Sequence, residues 1–259
     1  MTFQERLLLA LSRAPTSTDY AVGQSAQTVD NALDLLEKEY ADFGSLVSGK
    51  YVADFGCGSG HQSVALVKKY GCRVIGIESN GRTLKMARDL AQSHDVGEEK
   101  LSFCENASAM IKGTLDVVIS QNSFEHFPDP SSILGEMRSL IADNGRILIT
   151  FGPPWLAPYG SHMHFFCKVP WVNVLFSEDA VMKVRSRFRS DGATRYEDVE
   201  SGLNKMTISK FERTVRNNNG LTIEWKRYRG VKRADLLTTV PLLREFFVNH
   251  VSVVLSKAQ

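Results

Sequence analysis

The stretch on which the fold turns is VADFGCGSG, Val52–Gly60. It closes an apolar, β-prone run, KYVADF (Lys50–Phe55), with glycines at 56, 58 and 60. HQSVALVKKY (His61–Tyr70) follows with helical spacing, and Gly71 is placed to stop it. Strand, glycine turn and helix in that order let a ligand approach bare main chain and aim a helix N-terminus at it. The dinucleotide fingerprint G-x-G-x-x-G is not met, because His61 stands where the third glycine belongs. Asp54 would repel a pyrophosphate and attract an amine or other cation. The loop therefore points to a ligand that is zwitterionic or positive at this end, and NAD is disfavoured.

Outward from the loop, Val- and Ile-rich runs alternate with amphipathic stretches, as in strand-helix units around a mostly parallel sheet. CRVIGI (72–77) is a second strand ending at Glu78. GRTLKMARDLAQSH (81–94) places Leu84, Ala87, Leu90 and Ala91 on one helical face. KLSFC (100–104) and LDVVIS (115–120) supply the third and fourth strands and RILIT (146–150) the fifth. Between the last two, SSILGEMRSLIADNG (131–145) predicts a helix with Ile133, Leu134, Met137, Leu140 and Ile141 inward. From Gly152 to about Met206 the alternation stops and the text becomes aromatic, proline-punctuated and basic. A helix (209–220) and strands at 221–229 and 246–257 close the chain, and SAQTVDNALDLLEKEYADF (25–43) predicts a helix before the sheet.

The expected architecture is α/β, a Rossmann-like seven-stranded mostly parallel sheet flanked by helices, with a cap-like insertion after the fifth strand. Residues 1–48 form an N-terminal helical segment, 49–151 the cofactor-binding half, 152–206 the insertion and 207–259 the closing helix and strands, all in a single domain.

Five stretches in register now resemble the class I S-adenosylmethionine-dependent methyltransferases, in particular the small-molecule group related to ubiquinone-pathway methyltransferases. They are VADFGCGSG, the acid of VIGIESN (74–80), ENAS (105–108), LDVVISQNSFEHFPDP (115–130) and ADNGRILIT (142–150). The resemblance implies S-adenosyl-L-methionine as cofactor. It also implies that Asp54 with the main chain of Phe55, Gly56 and Gly58 lines the methionine portion, that Glu78 holds the ribose and that Ser79 lies beside the adenine. Asn106 stands where the family usually has Asp; its oxygen still accepts from the adenine amino group, without charge assistance. Ala107 offers a backbone N–H to the ring, Gln121 lies at the methionyl end, and His126 sits on the site rim beside Glu125. Each of these three residues also has a local role open to it: Asp54 as a cap, Glu78 as a solvated strand end, Asn106 as a turn residue.

Methyl transfer from a sulfonium needs a nucleophile held close and water excluded, and a base near neutral pKa helps an oxygen or nitrogen that must lose a proton. His162 and His164, in PYGSHMHFF (158–166), are the catalytic candidates; a strand-like stretch would put both on one face. Tyr20, Trp155, Tyr159 and Trp171 are the candidate acceptor-binding aromatics. No metal site is expected, since the H-x-H pair has no evident third ligand. The function expected is methyl transfer to an O or N atom of a small-molecule metabolite, the alternative being a noncatalytic S-adenosylmethionine-binding or partner protein on the same fold.

Bulk properties bound the partners. Thirty-one Lys and Arg against 29 Asp and Glu leave a formal charge of +2, without the basic excess of a nucleic-acid binder. The Pro-Pro-Tyr type motif of nucleic-acid amino-methylating enzymes is absent, SQNSFEH standing in its place. Cys57, Cys72, Cys104 and Cys167 are scattered, without CxxC pairs. The apolar run Leu7–Leu11 is too short for a signal core, and no stretch reaches transmembrane length, so the expectation is a cytoplasmic protein with no membrane partner. Two basic clusters, Lys183 to Arg189 and Lys226 to Arg233, are expected as solvated faces, or as docking points for an anionic acceptor.

Overall fold

Parallel strands buried on both faces need continuous apolar runs, and YVADF, LDVVISQ and the end of RILITF have them. The computed structural model describes residues 1–16, 27–199, 202–232 and 235–258. In chain order it holds α1 (Phe3–Ala10), α2 (Asp34–Glu39), α3 (Phe43–Val47), β1 (Tyr51–Phe55), α4 (His61–Tyr70), β2 (Arg73–Ile77), α5 (Gly81–Ser93), β3 (Leu101–Cys104) and β4 (Leu115–Gln121). There follow α6 (Pro130–Leu140), β5 (Ile141–Phe151), α7 (Val172–Leu175), α8 (Glu178–Arg185), α9 (Ile208–Asn217), β6 (Leu221–Gly230), α10 (Pro241–Phe247) and β7 (Val248–Lys257).

The seven strands form one sheet in the order β3-β2-β1-β4-β5-β7-β6. The first five in that order are parallel; β7 runs antiparallel to both β5 and β6. The order reverses between β1 and β4, and ligands of open α/β sheets bind outside the carboxyl ends of strands at such a switch point. Side-chain alternation sorts the core into two layers. Ala53, Phe55, Ile147, Ile149 and Phe151 face one layer with residues of α6 and α9. Val52, Val74, Val117 and Leu148 face the other, with Leu36, Phe43, Val64 and Leu66 from α2, α3 and α4. Tyr40 ties this second layer to the β5–β7 pair, its hydroxyl lying within hydrogen-bond distance of the carbonyls of Ile149 (3.1 Å) and Val253 (3.0 Å).

Four local expectations change. The helix expected over 131–145 stops at Leu140, and Ile141 begins β5 instead, because it pairs with Leu115 ahead of an irregularity in the β4–β5 ladder. Ile141 is buried all the same, from an extended backbone. Among the described residues of the helix expected over 25–43, α2 ends at Glu39, where Tyr40 leaves helical geometry, and α3 begins at Phe43. His162 and His164 do not lie on a strand: His162 is left-handed (φ 57°) and Met163–Phe165 is a single 3-10 turn. The closing strand begins at Val248, not Phe246, after a 3-10 turn (Asp235–Thr239) and α10.

Residues 152–206 gather a third apolar cluster, with Met163, Phe166, Val181 and Tyr196 buried around Leu8 of α1. Arg185 of the first basic cluster belongs to this interior. It is buried and bonded to Asp191, so it is not a solvated side chain as expected.

Candidate functional site

The loop after β1 is held by its neighbour strand: Gly56 and Cys57 both donate backbone N–H to the Ile77 carbonyl, at 2.9 and 3.0 Å. Glu78, next in the chain, accepts from the N–H of Gly58 (3.1 Å) and of Asn80 (2.8 Å), so its half-buried carboxylate lies against the loop. Gly56 has φ +81°, and a Cβ there would meet Ser123 Oγ at 2.7 Å. This close approach lets the Ser123 hydroxyl donate to the Gly56 carbonyl at 3.2 Å, drawing the loop after β4 onto the loop after β1.

Asp54 sits beneath the loop, 2% exposed, and accepts from Gln62 Nε2 and Ser63 Oγ, both at 2.6 Å. Gly60, the residue capping α4, offers no side-chain cap, and Asp54 braces the first turn only through the side chains of Gln62 and Ser63. Burial pushes its carboxyl up to about 7, against the pull of the two hydrogen bonds. The Cys57 thiol is also pushed up by burial, and further by Asp54 and Glu78, which makes it a packing residue and a poor nucleophile.

At the end of β3, Asn106 is exposed and its Oδ1 accepts from the Ser108 N–H (3.1 Å) and hydroxyl, while Ala107 is buried. Ser79 is exposed beside Glu78. Gln121 ends β4 with its Oε1 buried and without a hydrogen-bond partner. Glu125 is 4% exposed; one oxygen accepts from the Gly152 N–H (3.1 Å), and the other is buried and unpartnered. Burial raises its pKa, with the charge of His126 opposing.

His126 and His162 are brought together, ring centroids 5.6 Å apart and nearly perpendicular. His126 Nδ1 lies 2.7 Å from the Gly202 carbonyl. A carbonyl only accepts, so Nδ1 carries a proton, and in the neutral tautomer Nε2 is the acceptor. His162 Nε2 is buried without a partner, and burial lowers its pKa to about 4, with His126 and His164 adding to the effect. His162 is therefore neutral at physiological pH. The segment after Gly202 straps this corner: Asn204 donates its side-chain NH₂ to the carbonyls of Phe124 and Phe127, each at 2.9 Å, and its N–H to Glu125.

The aromatic candidates are placed less closely together. Trp155 packs edge-on against Tyr196 at 4.8 Å, and Trp171 donates from Nε1 to the Leu156 carbonyl (3.0 Å) while its ring meets Phe247. Tyr159 reaches the Lys168 carbonyl at 3.4 Å and has the His164 ring 6.4 Å away. Tyr20 lies outside the described residues. An open cleft of about 400 Å³ between α4 and α5, lined by Ser59, His61, Met86, Asp89, Leu90 and Ser93, holds none of these groups. Among the described residues no three His, Cys, Asp or Glu side chains group as metal ligands do.

Residues 46–153 match a family described as a methyltransferase domain. An uncharacterized methyltransferase of Mycobacteroides abscessus is 26% identical over 220 residues, 82% of this chain and 78% of its own. The ubiquinone biosynthesis O-methyltransferase of Thiobacillus denitrificans is 31% identical over 116 residues, so that 44% of this chain spans only 50% of that protein. Over the stretch that carries β1 to β5, the chain is thus similar to methyltransferases in both its family model and its relatives. Magnesium protoporphyrin IX methyltransferase of Synechocystis PCC 6803, solved with bound SAH, overlays with a TM-score of 0.52 at 18% identity, covering 89% of this chain and 81% of its own. That likeness is one of fold.

The residues at this site fit S-adenosylmethionine, the cofactor that the resemblance implies. A cationic, diol-bearing nucleoside needs hydrogen-bond acceptors and open main chain more than basic side chains. They are supplied by Glu78 after β2, by the glycine backbone of the loop and by the orphaned oxygen of Gln121 at the end of β4.

Proposed function

We propose that this protein transfers a methyl group to an oxygen or nitrogen atom of a small-molecule acceptor lodged between the loops after β4 and β5. The observation that carries this reading is the His126–His162 pair, two imidazoles converging where those loops meet. The cofactor supplies an activated methyl group. Glu78 would hold its ribose hydroxyls, the Gly56 and Gly58 backbone and Gln121 its amino-acid end, and Ser79, Asn106 and Ala107 its adenine. Asp54 acts one layer below, stiffening the loop through Gln62 and Ser63 while contributing negative potential when ionised.

The acceptor proton is assigned to the histidines. His126, oriented through Nδ1 by Gly202, presents Nε2 as a base, and neutral His162 beside it removes the repulsion that a second imidazolium would impose. His164, near Tyr159, is the further candidate. Residues 152–206 serve as the cap that excludes water, with Trp155, Tyr159 and Trp171 as its aromatic walls. We place the protein in the cytoplasm on the same reading.

The test is a panel of phenols, hydroxylated rings and amines, incubated with isotopically methyl-labelled cofactor and scored for labelled product. Transfer to an oxygen or nitrogen acceptor that falls steeply in His126→Ala or His162→Ala, with cofactor affinity unchanged, is the expected result. Transfer at the wild-type rate in His126→Ala, His162→Ala and His164→Ala alike removes the histidines from the chemistry. Cofactor binding without transfer to any of the panel favours the noncatalytic alternative.

A further inference from the structure

β6 and β7 are adjacent antiparallel strands, but the chain between them makes a long excursion. Its base is closed by the Val231 N–H donating to the Phe247 carbonyl at 2.8 Å. The excursion carries the 3-10 turn and α10, and its leucines face water: Leu236 is 81% and Leu242 82% exposed, with Val240 and Phe246 also exposed. Two contacts carry this apolar surface onward. The Phe247 ring meets Trp171 at the start of α7, where Leu175 is 60% exposed. Just past α7, Ser177 bonds Gln4 of α1, and that helix exposes Phe3 (79%), Leu7 and Leu11 at a spacing of four. Three elements distant in sequence thus leave apolar side chains unburied one after another, more than scattered single exposures account for.

The charge along the end of β6 and the excursion is one-sided. Residues 226–247 carry six cations, Lys226, Arg227, Arg229, Lys232, Arg233 and Arg244, against the acids Asp235 and Glu245, in a chain whose total is only +2. Glu212 and Glu39, from outside the excursion, engage Lys226, Arg244 and Arg229, and Arg227 and Lys232 are exposed. Apolar side chains flanked by cations match an anionic lipid surface, where the side chains enter the acyl boundary and the cations meet the headgroups. A second copy fits less well, because a two-fold interface would bring the cationic strip close to its own copy. Among the described residues no helix is long and apolar enough to cross a membrane, which leaves lying on the surface as the mode of contact.

We infer that α10, the 3-10 turn before it and the exposed face of α1 form an interfacial docking surface for anionic lipid bilayers. This departs from the expectation of no membrane partner, which rested on the lack of a signal core and of any stretch of transmembrane length. The test is cosedimentation of the full chain with vesicles of phosphatidylcholine mixed with phosphatidylglycerol, and with phosphatidylcholine alone, at low and high salt. The expected result is binding to the anionic vesicles that weakens with salt. It should weaken at least about tenfold in Leu236→Gln with Leu242→Gln, and again in Arg227→Glu with Lys232→Glu, since these remove buried apolar area and headgroup attraction respectively. All four side chains are exposed, so thermal melting should be unchanged and serves as the folding control. Absence of binding to either vesicle, or undiminished binding by both variants, overturns the inference. A dimer in analytical ultracentrifugation that the leucine variant dissociates, without vesicle binding, assigns the surface to a second copy and overturns it as well.

Discussion

Replacing Asp54 by Asn should make the protein's stability less sensitive to a rise in pH from about 5 to about 8.5. Asp54 is buried, hydrogen-bonded to Gln62 and Ser63, and raised from 3.8 to about 7 chiefly by burial. Below the unfolded-state value the carboxyl is protonated in both states, and the stability linked to it is fully present. As pH rises from 3.8 toward 7 the unfolded chain releases its proton while the folded chain keeps it, so stability falls. Once pH passes the folded value both states are ionised and the loss levels off. The full loss is about 4 kcal/mol at roughly 1.4 kcal/mol per pKa unit, of which about 3 kcal/mol falls between about pH 5 and about pH 8.5. Asn does not titrate; its oxygen accepts one of the two hydrogen bonds and its NH₂ can donate to the Ser63 hydroxyl, so the local geometry has a neutral substitute.

The assay is thermal or urea unfolding of wild type and Asp54→Asn, without cofactor, across that pH range. The difference in stability between the two proteins should move by about 3 kcal/mol in favour of the variant as pH rises, or by roughly 5–10 °C in melting temperature for a chain of this size. Only the change in the difference is diagnostic, because other groups titrate equally in both proteins. A difference that stays constant from about pH 5 to about pH 8.5 would show that Asp54 ionises in the folded protein near its ordinary value, and the account of the loop as standing on a strained carboxyl would be wrong.

Gly56→Ala places a Cβ 2.7 Å from Ser123 Oγ in a left-handed backbone and should cost roughly 1–3 kcal/mol and weaken cofactor binding measured by calorimetry; adding Ser123→Gly should restore part of the loss. Tyr40→Phe removes the buried hydroxyl shared between the Ile149 and Val253 carbonyls and should lower unfolding free energy by about 1–2 kcal/mol, read by urea titration with activity per folded molecule unchanged. His126→Ala should reduce turnover by about 10²–10⁴-fold with little change in cofactor Kd if Nε2 is the base, whereas a purely structural His126 would move melting temperature and leave the pH profile of turnover alone.

The parts of the fold legible in the sequence are those governed by short-range pattern. Val52, Ala53 and Phe55 are buried as an apolar run before a glycine turn requires. Asn80 and Asp129 cap α5 and α6 through bonds to N–H groups two and three residues on. The position of Glu78 beside the loop follows from the pairing of β1 with β2, which the strand-helix-strand pattern implies. The partners of Asp54 left a weaker signal: Gln62 and Ser63 are polar residues at buried positions of α4, and two polar groups on an inward helix face need an acceptor. Local pattern also misled. IADNG continues a helical spacing, but Ile141 is claimed by pairing with Leu115, and a ladder partner decides its conformation where propensity is nearly neutral.

What the sequence conceals is set by contacts between distant segments. The tautomer of His126 depends on a carbonyl 76 residues away, and no spacing rule reaches that far. His162 meets His126 because a left-handed residue and a 3-10 turn redirect the chain, which defeats the alternation that would have paired it with His164 instead. The same limit applies to charge. A total of +2 averages a cationic excursion with acids elsewhere in the chain, whereas a partner responds to the local field within about a Debye length, about 8–10 Å in ordinary salt. Net charge therefore bears on whether the whole chain is drawn to a polyanion and says little about one edge of it. In PLLREFF the proline at N1 and the arginine in the last turn announce a helix, but only the fold shows that its leucines are left uncovered.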